Sequence, residues 1–105
     1  MAHAVNIARK ATTDIFAIEK WLVPLGRRVI VRWQMQLSRA FRDLEDHPDR
    51  YAEAHETGHF GLDLRELIFG KRPHVYRVLF TLDENTVNVL RILYAAHDTL
   101  DEGDL

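Results

Sequence analysis

Apolar residues recur at every third or fourth position through the first half of the chain, a spacing that places side chains on one face of a helix. Either Thr12 or Thr13 can cap a helix that begins near Asp14. Pro24 and Gly26 then interrupt the pattern. The apolar stripe of this first predicted helix consists of Ile15, Ile18, Trp21 or Leu22, and Leu25.

A second and longer helix is predicted after Gly26, because the same spacing resumes and continues to Leu44. Its end is set by His47, since the residue before a proline disfavours the helical conformation. Two adjacent helices with a short connection should form a hairpin whose apolar side needs a sheet to cover it. The second stripe consists of Ile30, Trp33, Leu37, Ala40 or Phe41, and Leu44.

From residue 63 onward the apolar period changes to two, which predicts strands over 63–69, 75–82 and 87–96 with turns at 70–74 and 83–86. The alternating stretch 3–8 predicts one more strand ahead of the helices. The resulting fold is α+β, in the order β-α-α-β-β-β. It comprises a strand, a helical hairpin and a three-stranded antiparallel meander, with the helices packed on one face of the sheet.

The last two predicted strands each carry an apolar face that should pack on the helices. Pairing Phe80 with Leu90 and Val78 with Ile92 keeps the two apolar sets together, as a buried face requires. The full sets are Tyr76, Val78, Phe80 and Leu82 in the middle strand and Leu90, Ile92 and Tyr94 in the last.

The strand over 63–69 allows two orientations. In one, Leu64 and Ile68 face inward and Arg65 faces outward; in the other, Leu67 and Phe69 face inward. We favour the first.

Counting by twos from the packed residues places basic side chains on the opposite, open face of the sheet, namely Arg65, Arg77, Arg91 and His97. Leu79 and Leu93 accompany them. An uncovered sheet face often carries solvated polar residues, so no single one of these side chains defines a site. Together they form a candidate cradle for a phosphate or carboxylate, because guanidinium groups donate bidentate hydrogen bonds to both. An imidazole such as that of His97 can also transfer protons near neutral pH.

Composition further limits the number of domains, the chemistry and the cellular location that the chain can have. The 105 residues suit a single domain over 1–105, with 47% hydrophobic and 29% charged residues, and we expect the acidic segment 98–105 to be a flexible tail. There is no cysteine, which excludes disulfides and a thiol nucleophile. A formal net charge of -2 argues against nucleic-acid binding by overall charge. Neither a signal-peptide pattern nor a run of about 18 apolar residues is present, so we expect a cytoplasmic protein without a membrane partner.

One motif has the form of a metal site. His55, Glu56 and His59 fit the H-E-x-x-H pattern, in which a helix presents two histidines to zinc. Gly58 lies inside the motif and disfavours a continuous helix, and no third ligand is evident. We therefore interpret the segment as a polar loop and expect neither a metal nor a cofactor.

Three strings in the second half of the chain resemble RelE/ParE toxins. They are Leu64-Arg65-Glu66-Leu67-Ile68-Phe69-Gly70, Val75-Tyr76-Arg77-Val78-Leu79-Phe80 and Val87-Asn88-Val89-Leu90-Arg91-Ile92-Leu93. The family's order of elements, a strand, two helices and three further strands, matches the order predicted above over nearly the whole chain.

The resemblance implies the toxin of a type II toxin–antitoxin pair, neutralised by a cognate antitoxin. Some members cleave messenger RNA on the ribosome, whereas ParE-type members are not nucleases and poison DNA gyrase. Carried over to the nuclease pattern, Arg65 and Arg77 would bind phosphate and His97 would act as acid or base. This chain departs from that pattern in its loop before residue 63, its lack of a tyrosine after His97 and its acidic tail.

These departures favour a ParE-like toxin that binds gyrase over an mRNA endonuclease, with a non-toxic interaction domain as a third possibility. In the binding role, Arg65, Arg77, Arg91 and His97 are the candidates for contact with target or antitoxin. The oligomeric state is left open. We expect Arg77 to be exposed on the open face, so that Arg77→Ala would leave the melting temperature unchanged and abolish growth arrest.

Overall fold

A computed structural model describes residues 2–55, 57–58 and 61–95. These residues form the predicted α+β fold in the predicted order. Strand β1 (Ala4–Ile7) leads into helices α1 (Arg9–Leu22) and α2 (Arg27–Asp46), and β2 (Arg65–Lys71), β3 (His74–Asp83) and β4 (Thr86–Tyr94) follow. The four strands form one sheet in the order β1-β4-β3-β2. The predicted tail at 98–105 lies outside the described residues.

Helix α1 begins earlier than predicted, at Arg9 instead of near Asp14. The prediction that Thr12 or Thr13 caps the helix was therefore wrong: Thr13 lies inside it and its hydroxyl donates to the Arg9 carbonyl at 3.1 Å. The helix start is fixed by the sheet, because the Ala8 N–H donates to the Val89 carbonyl at 2.9 Å. The helix therefore begins directly after the strand pairing ends, and Ala8 at its N-cap makes no side-chain capping bond with the described residues.

The helical hairpin has the predicted break and the predicted end. A 3₁₀ turn at Val23–Leu25 and Gly26, with φ of 105°, separate the helices, and α2 stops at Asp46 before His47. Positive φ favours glycine at this position. The buried side of α2 consists of Trp33, Leu37, Ala40 and Leu44, which pack on the sheet with Leu22 of α1.

The sheet combines parallel and antiparallel pairs. Strand β1 runs parallel to β4 over residues 86–89, while β2, β3 and β4 form the predicted antiparallel meander. Val78 pairs with Ile92 as predicted, but Phe80 pairs with Val89 instead of Leu90. A β-bulge between Leu79 and Phe80 causes the difference, since it inserts one unpaired residue into β4.

The bulge changes which β4 residues enter the core. Val87 and Val89 are fully buried beneath the helices, where the sequence pattern had placed Leu90. Leu90 instead packs against a second, smaller cluster with Leu93. This second cluster is built on Leu79 and is covered by Ala54 and Leu64 from the segment before β2. The face that was predicted to be open is therefore partly covered by the chain itself.

No helix among the described residues is both long and apolar enough to span a membrane.

Candidate functional site

Arg77 lies in β3 on the face opposite the helices, as predicted, but it is only 5% exposed. Its Nε–H donates to the Glu66 carboxylate in β2 at 2.7 Å. The expectation that Arg77 is exposed was wrong, because its partner comes from the neighbouring strand and not from a second protein. A buried guanidinium requires such a partner.

Arg65 lies at the start of β2 on the same side as the helix-facing residues. Leu67 is buried in the main core with Phe69 packed against it, whereas Ile68 is 57% exposed. The favoured orientation of this strand was therefore wrong and the alternative is correct. One Arg65 nitrogen, Nη1, donates to the carbonyls of Asp49 and Tyr51 at 3.3 and 3.0 Å. Arg65 thus anchors the segment that follows α2.

Arg91 does not project away from the helices as predicted. Its Nε and Nη2 donate to both carboxylate oxygens of Asp14 in α1, at 2.7 and 2.9 Å. Asp14 also accepts the Ile92 N–H at 3.0 Å. Because β1 pairs only with residues 86–89, this amide lies where β4 has lost its strand partner, and the carboxylate takes the place of that strand. The neighbouring bulge re-aims Arg91 toward α1.

His97 and the H-E-x-x-H segment lie wholly or partly outside the described residues. His97 lies outside the described residues, so its role stays a prediction. Of the H-E-x-x-H segment, His55, Thr57 and Gly58 lie in turns, and Gly58 has a φ of 77°. Among the described residues, no group of three or more His, Asp or Glu side chains could hold a metal ion.

A small cleft opens between α1 and the ends of β3 and β4. Its volume is about 230 Å³ and its walls are Ala17, Ile18, Trp21, Tyr76 and Tyr94. The Tyr76 hydroxyl is buried without a hydrogen-bond partner among the described residues. Burial, with a smaller effect from Tyr94, raises the pKa of Tyr76 above its usual value of 10.0. The lining of the cleft is thus mostly apolar, and one of its residues, Tyr76, has a hydroxyl without a partner in the described part of the chain.

Sequence reasoning missed the two acidic partners, Asp14 and Glu66. Glu66 could have been found, because the register places it diagonally across the β2–β3 pair from Arg77, where opposite charges attract. Asp14 could not, since its contact depends on where β1 ends and on the bulge in β4. The structure therefore separates the three arginines and gives each its own acceptor instead of gathering them into one cradle.

The fold is similar to those of two solved toxin–antitoxin structures. One belongs to the chromosomal ParDE TA system from P. aeruginosa, with 18% identity, a TM-score of 0.67, and coverage of 89% of this chain and 96% of that chain. The other is the toxin-antitoxin complex RelBE2 from Mycobacterium tuberculosis, with 21% identity, a TM-score of 0.53, and coverage of 90% and 99%. No curated protein matches the sequence closely.

The fold thus has the architecture seen in toxin–antitoxin modules. Residues 5–99 match the family model of the ParE toxin of the type II toxin-antitoxin system parDE. The chain belongs to this ParE toxin family.

Proposed function

We propose that the chain arrests growth by binding DNA gyrase, without cleaving nucleic acid, and that a cognate antitoxin neutralises it. The observation that carries this proposal is the engagement of Arg65, Arg77 and Arg91 with acceptors inside the chain. The antitoxin partner is supported by family membership and by the two similar structures, which come from toxin–antitoxin modules. A gyrase target would place the protein in the cytoplasm.

The engaged arginines argue against a phosphate-binding role. For Arg77 to bind a scissile phosphate, its buried guanidinium would have to leave the Glu66 carboxylate and stay desolvated. For Arg91, the phosphate would have to replace Asp14 as the acceptor of two hydrogen bonds that the guanidinium donates. A nuclease site needs its cations arranged in advance around the developing charge. Here the guanidinium groups of Arg77 and Arg91 are already paired with carboxylates of the same chain.

The alternative function is a RelE-type mRNA endonuclease, with Arg65 and Arg77 as phosphate ligands and His97 as general acid or base. This mechanism predicts cut messages during growth arrest. If such cuts are found, His97→Gln should reduce them by about 10²- to 10⁴-fold, the usual contribution of general acid–base catalysis.

Induced expression separates these possibilities. We expect growth arrest with a DNA-damage response and a loss of plasmid supercoiling, while mapped transcript ends match those of uninduced cells. Cut transcripts with normal supercoiling would contradict the proposal and favour the endonuclease. Normal growth at full expression would instead identify a non-toxic interaction domain. A frameshifted copy of the same gene controls for the burden of induction.

A further inference from the structure

Helix α2 carries five exposed arginines in a chain whose net charge is -2. They are Arg27, Arg28, Arg32, Arg39 and Arg42. No acidic residue occurs between Glu19 and Asp43, so no carboxylate along this stretch offsets their charge. None of the five forms an ion pair or a side-chain hydrogen bond with any residue that the structure describes. Their charge is therefore available to a polyanion.

Four of these arginines form a row along one side of the helix. Arg28, Arg32, Arg39 and Arg42 follow one another at intervals of four, seven and three residues, which keeps side chains on one face. Leu37 of the core lies nine residues, or about two and a half turns, after Arg28, so the row points away from the core. The row is 14 residues long, which corresponds to about 21 Å at about 1.5 Å per residue.

The row begins where positive charge is unfavourable for folding. The N-terminal end of a helix carries a partial positive charge, so acidic residues stabilise it and basic residues oppose it. The first turn of α2 contains Arg27 and Arg28 and no acidic residue, and Gly26 makes no side-chain cap. Folding alone therefore does not account for these two arginines, whereas a bound anion would be stabilised by both the arginines and the helix end.

We propose that the arginine row of α2 binds the phosphate backbone of duplex DNA, which rests on the function proposed above because gyrase acts on DNA. Guanidinium groups donate paired hydrogen bonds to phosphate. A helix with its side chains is about 10 to 12 Å across, and the major groove of duplex DNA is about 12 Å wide. The row of about 21 Å spans about six base pairs at about 3.4 Å each.

Two exposed apolar residues lie among the arginines. Val31 is 43% and Met35 is 54% exposed, and with three of the arginines they line a shallow depression of about 400 Å³. Their side chains are shorter than those of the arginines, so they would face the floor of the groove while the guanidinium groups reach the phosphates. Thymine methyl groups offer apolar contacts there. The row ends at Arg42, because the exposed Asp46 lies about one turn further on the same side and would repel phosphate.

Duplex DNA fits this surface better than the other nucleic acids. Proteins bind single strands largely by stacking aromatic side chains on the bases. The aromatic residues of α2, Trp33 and Phe41, instead pack in the core. Double-stranded RNA has a deep, narrow major groove that side chains do not enter. The exposed helix therefore matches the wide groove of duplex DNA.

The first test measures binding of the full-length protein to a fluorescein-labelled DNA duplex of about 20 base pairs, followed by anisotropy. Four phosphate contacts predict that the affinity falls about 150-fold between about 50 and 200 mM salt. The double variant Arg28→Ala and Arg32→Ala removes two contacts, so its affinity should fall only about 12-fold over the same range. Its melting temperature should be unchanged or slightly higher, because two charges that oppose the helix dipole are gone.

A matched double variant, Arg9→Ala with Lys71→Ala, makes the same charge change at exposed positions outside α2. It should keep the salt dependence of the unmodified chain, because neither side chain belongs to the row. An equal change in this control, or an unchanged salt dependence in the row variant, would overturn the proposal. Tighter binding of polyglutamate, or of an RNA duplex of the same sequence, would assign the row to another class of partner and would also contradict it.

A supercoiling assay with purified gyrase separates this inference from the function on which it rests. The unmodified chain and the matched control should inhibit gyrase equally, and the row variant should need at least about tenfold more protein, since it loses contacts to the DNA. Equal inhibition by the row variant would refute a role for the row and retain gyrase as the target. Salt-dependent DNA binding by the row without inhibition by any form would confirm the DNA surface and refute the proposed function.

Discussion

The arginines of the sheet region and those of α2 carry the same group in opposite surroundings. Arg77 and Arg91 each donate to a carboxylate of the same chain at 2.7 Å, and Arg65 donates to two backbone carbonyls. The α2 arginines are exposed and have no such acceptor among the residues that the structure describes. Residue type alone therefore does not locate a binding surface in this protein.

The difference also divides stability from recognition. Substituting a buried arginine leaves the carboxylate that it paired with as an uncompensated charge. Such a substitution should therefore destabilise the fold. An exposed arginine far from any acid contributes little to folding, and its substitution should alter binding only. The following substitutions test this division, beginning with the largest expected effect.

Arg77→Met should lower the free energy of unfolding by about 3 kcal/mol, because it leaves Glu66 without its ion-pair partner. We place the effect at the lower end of the usual range because the Glu66 side chain keeps 20% of its surface exposed. Urea denaturation measures the change, and the melting temperature should fall by more than about 10 °C. Replacing both residues by methionine should recover much of the loss. An unchanged melting temperature in the single variant would show that the pair is not structural.

Asp14→Ala should lower the free energy of unfolding by about 2 kcal/mol, since Arg91 and the Ile92 N–H both lose their acceptor. Asp14→Asn is the control. It keeps an acceptor oxygen for the amide and should lose about half as much. Hydrogen exchange provides a local measure, because the Ile92 amide should exchange faster in Asp14→Ala. Unchanged exchange would contradict the role given to this carboxylate at the strand edge.

Tyr76→Phe removes a buried polar group that has no described partner, in contrast to the paired arginines. The free energy of unfolding at pH 7 should stay equal or rise by up to about 1 kcal/mol. A loss of more than about 1 kcal/mol would indicate that the hydroxyl has a strong acceptor.

The same substitution has a consequence at alkaline pH. Burial raises the pKa of Tyr76, so above its unfolded-state value of 10.0 the unfolded phenol ionises first. The contribution of this group to stability is therefore complete below that pH and is lost as the pH rises through the folded-state pKa. Urea denaturation at about pH 11 should show a smaller fall in stability for Tyr76→Phe than for the unmodified chain.

Arg39→Ala should have the smallest effect, within about 0.5 kcal/mol, because the side chain is exposed and lacks an ion pair within the described chain. Alanine also has a slightly better helix propensity than arginine. Thermal denaturation beside Arg77→Met compares the two classes of arginine directly. A loss near that of Arg77→Met would remove the distinction between them.

Most of the fold could be predicted because it depends on periodic patterns. The stripe through Trp33, Leu37 and Leu44 required a helix with one buried face, and the alternation through Val78 and Phe80 required a strand. The break between the helices followed from Pro24 and Gly26. The start of α1 could not be predicted, because it is set by where the pairing with β4 ends, at the Ala8 N–H to Val89 carbonyl bond, and not by a capping side chain.

The candidate site was less predictable. Alternation of side chains along a strand does not give the face that each residue occupies where the strand pairing is irregular. One unpaired residue at the β4 bulge moved Leu90 to the second cluster and turned Arg91 toward Asp14. The sheet face opposite the helices is covered by Ala54 and Leu64. These residues come from a segment without apolar periodicity, so the covering could not be predicted. Burial of Arg77 and its pairing with Glu66 in β2 were therefore missed, although Arg77 itself was assigned to the correct face.

The most direct test of this account follows the side-chain Nε–H resonances of Arg77 and Arg91 by NMR while single-stranded RNA is added to the full-length protein. We predict that both resonances are protected from exchange with water and do not shift, because their carboxylate partners hold them inside the chain. Saturable shifts of these two signals, with loss of protection, would show that the arginines leave Glu66 and Asp14 to bind phosphate, and would contradict the account.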